Sequence, residues 1–475
     1  LGQGSGQALS LLVFLFLARY VSQSSFGLVA VSLTVVEFLR RLLIDPVTVA
    51  VYSRPDVADE DYDTCFIMIL ALGSVSAAIL FLLAQPVATL LGSAEAGPAL
   101  QLISLLLFGY GLSGTPGAWL ARRMKFRMLA VRSMLSVTAG GVVGVSMALN
   151  GWQLWSLVGQ QFTIATVNVV ALWVGAGWRP HLRFSWLRIG GLGRRARPIS
   201  FGALWTSIAS DSDLIFVAGY FGPVAAGLYS AAKRIMLAAN LVLVSTVSTL
   251  TLPTLANLET RAQRGAAFRS GMMLTSAVCA PAFGGLAIIA PDLVKVLLGD
   301  SWARSAPILM ALAASGYFLS LNQLSSSMLV VAQRAQLDSL CSAIWAVLNI
   351  CMFLLAAQFG PLALAVAFSA TTLLILPIRL RFALREAGLG GGAVLRAVLP
   401  SQGAAIVMMI ILWSIREISS AWMPPILLLP TLVGAGMLIY CAAMRLCAPR
   451  LFALLLEIAS AVAKRDRVGG QEMLA

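Results

Sequence analysis

Apolar runs long enough to cross a bilayer recur from residue 3 to residue 446, with only short breaks between them. They fall at 3–21, 26–50, 65–91, 99–120, 129–150, 155–177, 199–221, 227–256, 268–298, 304–330, 337–358, 361–384, 394–415 and 423–446. A hydrocarbon core takes about 20 apolar residues per helix, so these runs use up the chain and leave no length for a sizeable soluble domain. A soluble helix would show a polar face every 3.6 residues, whereas these runs are apolar nearly all round. Charged residues make up 11% of the chain, against roughly 25% in soluble domains. The expected fold is all-α, a polytopic membrane protein of about 14 transmembrane helices.

The net charge of +14 would suit nucleic acid if the basic residues formed a patch, but they sit in the breaks. Breaks after even-numbered spans carry Arg122, Arg123, Lys125 and Arg127, then Arg179 to Arg197, then Arg261, Arg264 and Arg269, then Arg379, Arg381 and Arg385, and finally Arg450, Lys464, Arg465 and Arg467. Breaks after odd-numbered spans, such as SQSS, NGWQ and GPVAAG, are short and poor in Lys and Arg. The positive-inside rule then puts the basic loops and both termini in the cytoplasm, with anionic membrane lipids as their partner and no role for nucleic acid. The sequence begins at Leu1 rather than Met, already close to an apolar run, which leaves open whether a short native N-terminus precedes it, and no cleavable signal peptide is apparent. Within RPHLRFSWLRIGGLGRRARP, Phe184, Trp186, Leu187 and Ile189 among arginines read as a segment lying on the cytoplasmic interface. His181 there reads as a solvated loop histidine.

The chain also echoes itself. FLARYVSQSSFGLVA (16–30) returns as FVAGYFGPVAAGLYS (216–230), with Phe16, Ala18, Tyr20, Gly27 and Leu28 in register with Phe216, Ala218, Tyr220, Gly227 and Leu228. Leu90-Leu91-Gly92 returns as Leu297-Leu298-Gly299, and Tyr110, Leu112 and Ser113 as Tyr317, Leu319 and Ser320. Six spans separate the copies, an even number, so both have the same orientation and are related by an axis along the membrane normal. The expected organisation is an N-terminal lobe at 1–178 (spans one to six), a cytoplasmic linker at 179–198, a C-terminal lobe at 199–385 (spans seven to twelve), and two appended spans with a basic tail at 386–475. GLGGG (388–392) reads as the link to that appendage.

No enzyme pattern is present: there is no GxxxxGK[ST] loop and no HExxH, so catalytic residues, metal and cofactor are all expected to be none, with coupling to H+ or Na+ left open. The six cysteines, Cys65, Cys279, Cys341, Cys351, Cys441 and Cys447, form no CxxC pair and read as small buried hydrophobes. Gly140 and Gly144 form a GxxxG, expected to allow close helix packing. Trp152, Trp155, Trp302 and Trp422 fall at span ends, where an interfacial belt would hold them.

Several stretches taken in order resemble one family. They are LARYVSQSSFGLVAVS, the acidic RPDVADEDYD, ARRMKFR, RPHLRFSW, DLIFVAGYFGPVAAGLYSAAKRI and LLGDSWARSAPIL. Together they resemble the polysaccharide-transporter family of lipid-linked oligosaccharide flippases, in the branch of colanic-acid and succinoglycan exporters, within the superfamily that also holds multidrug antiporters and the lipid II flippase. The resemblance covers residues 1 to about 385. It implies a two-lobed alternating-access transporter of the bacterial inner membrane that moves undecaprenyl-pyrophosphate-linked oligosaccharide repeat units to the periplasmic leaflet for surface polysaccharide synthesis. It further implies a lipid-linked oligosaccharide as partner, alongside a polysaccharide polymerase or co-polymerase. Asp213-Leu214 and Gly219-Tyr220 stand where many relatives have Asp-Asn-Leu and a following Gly-Arg, so a basic residue expected there is absent. A cation-coupled multidrug antiporter of the same superfamily and a non-transporting scaffold of a polysaccharide assembly complex are the alternatives.

A charge at mid-helix costs about 2.5–3.5 kcal/mol on insertion scales, so each one in a span calls for a reason. The second span holds Glu37, Arg40, Arg41 and Asp45, whose i, i+3 and i, i+4 spacings put them on one α-helical face. That face reads either as a self-neutralising ladder or as a cavity wall on which an arginine, Arg40 before Arg41, grips pyrophosphate. Asp211 and Asp213 point about 200° apart on the seventh span. Asp213 is expected to pair with Lys233 or Arg234, or one of the two aspartates to be a protonatable coupling site. Lys233 and Arg234 are otherwise candidates for substrate binding or for snorkelling, as is Arg19 for the latter. Asn322 and Gln323 in the tenth span are candidates for hydrogen bonds to a neighbouring helix or to sugar hydroxyls.

Overall fold

The computed structural model describes residues 2–53, 57–90, 94–181, 185–256, 260–449 and 452–453. Arg54, Pro55 and Asp56 of the acidic loop, Leu91 and Gly92 of the repeat, Phe184, and the tail's Arg450, Lys464, Arg465 and Arg467 lie outside the described residues, as do the side chains of Trp186, Leu187 and Cys447.

Among the described residues the chain is helical and has no strand. The helices are α1 (Gly2–Leu17), α2 (Gln23–Leu39), α3 (Asp45–Tyr52), α4 (Asp59–Leu82), α5 (Ala84–Leu90), α6 (Gly97–Ser104), α7 (Leu106–Arg122), α8 (Phe126–Leu149) and α9 (Gln153–Ala176). They continue as α10 (Trp186–Ala256), α11 (Arg261–Leu298), α12 (Ala306–Val331), α13 (Ala335–Ala356), α14 (Pro361–Ala387), α15 (Gly391–Ser419) and α16 (Pro425–Cys447). A single π turn, Arg40–Ile44, joins α2 to α3 without a break. Eleven helical stretches are long and apolar enough to cross a membrane. The predicted fourteen are reached by dividing α10 at its kink and adding α1 and the joined α2–α3 segment.

The kink in α10 has a local cause. Gly222 adopts φ 80° and ψ −179°, a conformation open to glycine alone at little cost, and it turns one predicted span into the next at the echo GYFGP. The other copy of that turn runs from α1 to α2, where Ser22 caps α2 by accepting from the Ser25 N–H at 3.3 Å. Residues of the predicted linker from 186 onward are already helical and run into α10 unbroken.

Contact density divides the chain into two compact units. The first holds residues 1–238, 297–312 and 335–375, so it includes α1 to α9, most of α10, α13 and much of α14. Here Gly140 and Gly144 let α8 approach α9 as expected. A Cβ on Gly140 would lie 2.9 Å from the Gln160 carbonyl oxygen, and one on Gly144 would lie 3.4 Å from that of Ser156. Asn349 of α13, fully buried, donates to the Ala209 carbonyl of α10 at 2.5 Å and accepts from Thr371 of α14. An aromatic group, Tyr62, Phe66, Trp119, Trp173 and Trp178, packs α4, α7 and α9 together, with rings meeting mostly edge to face.

The second unit holds residues 239–296, 313–334 and 376–475. In it α15 and α16 are bound by specific polar contacts, since unpaired polar groups in lipid are costly. Arg416 pairs with Asp292 at 2.6 Å, Ser401 bonds Ser276 at 2.8 Å, Gln402 donates to the Tyr317 hydroxyl at 2.5 Å, and Tyr440 donates to the Ala277 carbonyl at 2.8 Å.

Two expectations change. Trp302 is 1% exposed rather than lying in a belt with Trp152, Trp155 and Trp422, which are exposed; its indole N–H donates to the Ala18 carbonyl at 2.8 Å and its ring meets Phe26 edge on. Of the cysteines, Cys65, Cys279 and Cys341 are buried, but Cys351 and Cys441 are exposed. A helix facing lipid can leave small apolar side chains outward at no cost, so apolarity does not imply an interior position.

Candidate functional site

The charged residues of the second, seventh and eighth predicted spans come together in the first unit. The π turn decides how. Asp45 reaches back five residues to the Arg40 carbonyl, which relieves the crowding that Pro46 imposes on the preceding turn. The extra residue per turn swings Asp45 over Arg40 and turns Arg41 away. Glu37, Arg40, Arg41 and Asp45 therefore do not form the single ladder that α-helical spacing predicts. Arg40 donates to Glu37 at 2.6 and 2.9 Å, lies 3.4 Å from Asp45, and stands over the Tyr110 ring at 5.1 Å. Tyr110 of α7 closes the group by donating to the other Glu37 oxygen at 2.8 Å. The four side chains are part-buried, and around one arginine there are two carboxylates.

Arg41 instead reaches α10 and pairs with Asp211 at 2.5 Å. Asp213, two residues on, faces elsewhere, as the spacing requires. It is fully buried and takes four hydrogen bonds: Lys233 at 2.7 and 2.9 Å, the Tyr229 hydroxyl at 2.7 Å, and the Leu214 N–H at 2.8 Å. Lys233 also donates to the Ser210 carbonyl at 2.5 Å and lies 5.3 Å from the Phe368 ring centroid. Every oxygen lone pair here has a partner, which is what a buried ion pair needs to persist. Asp213 and Lys233 thus clamp α10 to itself across the Gly222 kink.

Arg234 differs from the other three bases. Its guanidinium donates to the Ser10 hydroxyl of α1 at 2.8 Å and stacks on Phe14 at 4.6 Å, and among the described residues it pairs with no carboxylate. Asn322 and Gln323 lie in the second unit. Asn322 is buried and donates back to the Phe318 carbonyl at 3.1 Å, whereas the Gln323 side chain is exposed. Adjacent in sequence, they point in different directions.

The echoed turns meet each other. A Cβ on Gly27 would overlap the Pro223 carbonyl oxygen, and one on Gly227 would overlap that of Gln23. Residues 23 and 27 thus approach residues 223 and 227 reciprocally, as a local two-fold between copies demands. Beside this contact Gln23 donates to the Ser301 carbonyl.

Sequence reasoning missed Tyr110, Tyr229 and Ser10 as partners of the charges. Tyr110 carried a signal, its recurrence as Tyr317, while Ser10 and Tyr229 carried none beyond their place in an apolar run.

The fold is that of a known class of membrane proteins. The structure superposes on the lipid II flippase MurJ in an inward closed conformation with a TM-score of 0.77, at 13% identity, over 94% of this chain and 97% of that one. It also superposes on an inward-facing multidrug resistance transporter of the MATE family with a TM-score of 0.66, at 12% identity, over 80% and 94%. Residues 16–307 match the model of a family described as polysaccharide biosynthesis protein, and the chain belongs to that family. It is 36% identical over 305 residues to the succinoglycan biosynthesis transport protein ExoT of Rhizobium meliloti (strain 1021), covering 63% of this chain and 61% of that protein. It is 21% identical over 340 residues to the lipopolysaccharide biosynthesis protein WzxC of Escherichia coli (strain K12), covering 70% and 68%.

Proposed function

We propose that this chain is a flippase that carries undecaprenyl-pyrophosphate-linked oligosaccharide repeat units across the bacterial inner membrane, from the cytoplasmic to the periplasmic leaflet, by alternating access. The observation that carries the reading is Arg234: a cation held between α10 and α1 with no carboxylate beside it among the described residues, while Lys233 and Arg41 are each neutralised by one aspartate. An unbalanced guanidinium inside a membrane protein suits an anionic group that arrives with the substrate. Pyrophosphate meets that need through charge-assisted, bidentate hydrogen bonds. Arg40 is the second candidate, and engages once one of its two carboxylates moves or takes a proton. Gln323, its side chain exposed and without a partner among the described residues, is the candidate for sugar hydroxyls in this reading, whereas Asn322 is occupied locally. The names of the succinoglycan and lipopolysaccharide relatives support a polysaccharide pathway.

In this reading the Gly27–Gly227 contact is the closed outer end of the two lobes, both termini face the cytoplasm, anionic lipids meet the basic loops, and a polymerase or co-polymerase takes the product. Where an ion gradient drives export, Glu37 and Asp45 around one arginine are the place for H+ or Na+ to act. That same carboxylate excess favours the second reading, a cation-coupled multidrug antiporter. Depletion of the protein in its host separates them. The flippase reading expects lipid-linked repeat units to accumulate on the cytoplasmic leaflet and surface polysaccharide to stop, and normal polymer export without the protein would refute it.

A further inference from the structure

A cleft of about 510 Å³ opens beside the echoed turn between α1 and α2, away from the charged site and within the size range of small-ligand sites, roughly 300–1,000 Å³. Its walls come from both copies of the repeat: residues 18–24 and Gln153 from the first, Val224, Ser301 and Trp302 from the second.

The cleft is fixed in shape. Trp302, buried behind it, ties the Asp300–Ser305 3₁₀ helix to the end of α1 through the Ala18 carbonyl. Gln153 holds the opposite wall, accepting from the Ser22 N–H at 3.0 Å and donating to the Tyr20 carbonyl at 3.2 Å. To do so Gln153 takes φ 37°, a left-handed backbone that a non-glycine residue keeps only where its surroundings over-determine it. Gln23 crosses from one copy to the other by donating to the Ser301 carbonyl.

What the cleft offers a ligand is equally definite. The hydroxyls of Tyr20, Ser24 and Ser301 line it with no partner among the described residues, and Arg19 adds a cation to the lining. Tyr20 is 45% exposed and leans on Phe16 at 5.1 Å, so one ring face is supported and the other open. No carboxylate lines the cleft, which disfavours a metal ion, and the hydroxyls interrupt apolar walls made by Ala18, Val21, Val224 and Trp302. Clustered hydroxyls beside a supported aromatic ring and one guanidinium match a saccharide, whose hydroxyls donate and accept while its apolar ring face rests on the aromatic.

We propose that this cleft binds the sugar portion of the transported unit on the periplasmic side. The assignment of that side rests on the flippase reading. Because the cleft exists only while residues of both copies are together, a bound saccharide favours that arrangement over one in which the turns part, by the ordinary linkage between binding and conformation. The site thereby lets free or polymerised glycan outside the membrane slow the release of further units.

Calorimetric titration of the purified full-length chain with lipid-free oligosaccharides, released by mild acid from the host's own polysaccharide, tests the proposal. Saturable binding is expected in the unaltered protein, weakened at least tenfold in Ser301→Trp and in Val224→Trp, which fill the cleft from exposed positions, and unchanged in Gly434→Ala, where a Cβ meets nothing within 4 Å. No binding to the unaltered protein, or binding that survives both filling substitutions, would overturn it. The flippase reading is judged separately by the depletion experiment, so that either can fail without the other.

Discussion

The first half of the chain fills the contact between α2 and α7 with charge, and the second half fills the matching contact between α10 and α12 with neutral hydrogen bonds. In the first, Arg40 lies over Tyr110 and pairs with Glu37. In the second, Asn240, which stands 200 residues on in place of Arg40, donates to the Gly316 carbonyl at 2.9 Å and the Ser320 hydroxyl at 2.8 Å. Both are adequate as helix-to-helix contacts, and the neutral one avoids the desolvation of three ions. The extra cost of the charged version is therefore not explained by packing. The converse asymmetry holds for the clamp across Gly222: Asp213 and Lys233 have Val13 and Leu33 at the matching places. The shared residues build the frame, and the unmatched charges are what each half adds to it.

Giving the clamp its first-half residues removes the asymmetry most directly. Asp213→Val alone strands Lys233 and is expected to cost about 3–5 kcal/mol, whereas Asp213→Val with Lys233→Leu is expected to be near neutral or stabilising, because a buried ion pair often contributes little against a packed apolar pair. Thermal unfolding of the detergent-solubilised protein measures both. Asn240→Arg is the opposite exchange. With only a hydroxyl and a carbonyl to receive it, it is expected to destabilise by about 2.5–3.5 kcal/mol, read as loss of folded protein in the membrane fraction. At the echoed turns, Gly27→Val and Gly227→Val should cost about 1–3 kcal/mol each by overpacking. The two values should match each other, since the contact is reciprocal. Gly434→Ala, where a Cβ meets nothing within 4 Å, should be neutral or stabilise by up to about 1 kcal/mol. The smallest change is expected for Arg41→Gln, whose ion pair is part-exposed (39% and 27%) and should cost about 0–1 kcal/mol in stability.

Much of the fold was legible because a bilayer imposes one simple rule, that backbone polar groups pair within helices, and the apolar runs record it. The fourteen runs recover the spans in order, including the turn at Gly222, which falls in the break between the seventh and eighth runs. The charged residues were equally legible as a set, since each is costly. Their pairing was not. The ladder expected along one face fails because α-helical spacing was assumed through Pro46, and a single π turn redistributes Arg40 and Arg41 between α7 and α10. Tyr229 and Ser10 escaped notice because a hydroxyl within an apolar run has no periodic signature. Trp302 was misread for a related reason: its position at a span end suits an interface, and only the neighbouring copy of the repeat, through Ala18 and Phe26, shows why it is buried.

If the unbalanced Arg234, rather than the symmetric frame, engages the substrate, the leaflet distribution of lipid-linked repeat units in host cells carrying Arg234→Gln will show it, with protein level and unfolding temperature checked in the same preparations. The units are expected to collect on the cytoplasmic leaflet while the protein stays folded and abundant. Normal outward distribution with Arg234→Gln at wild-type level would contradict that engagement.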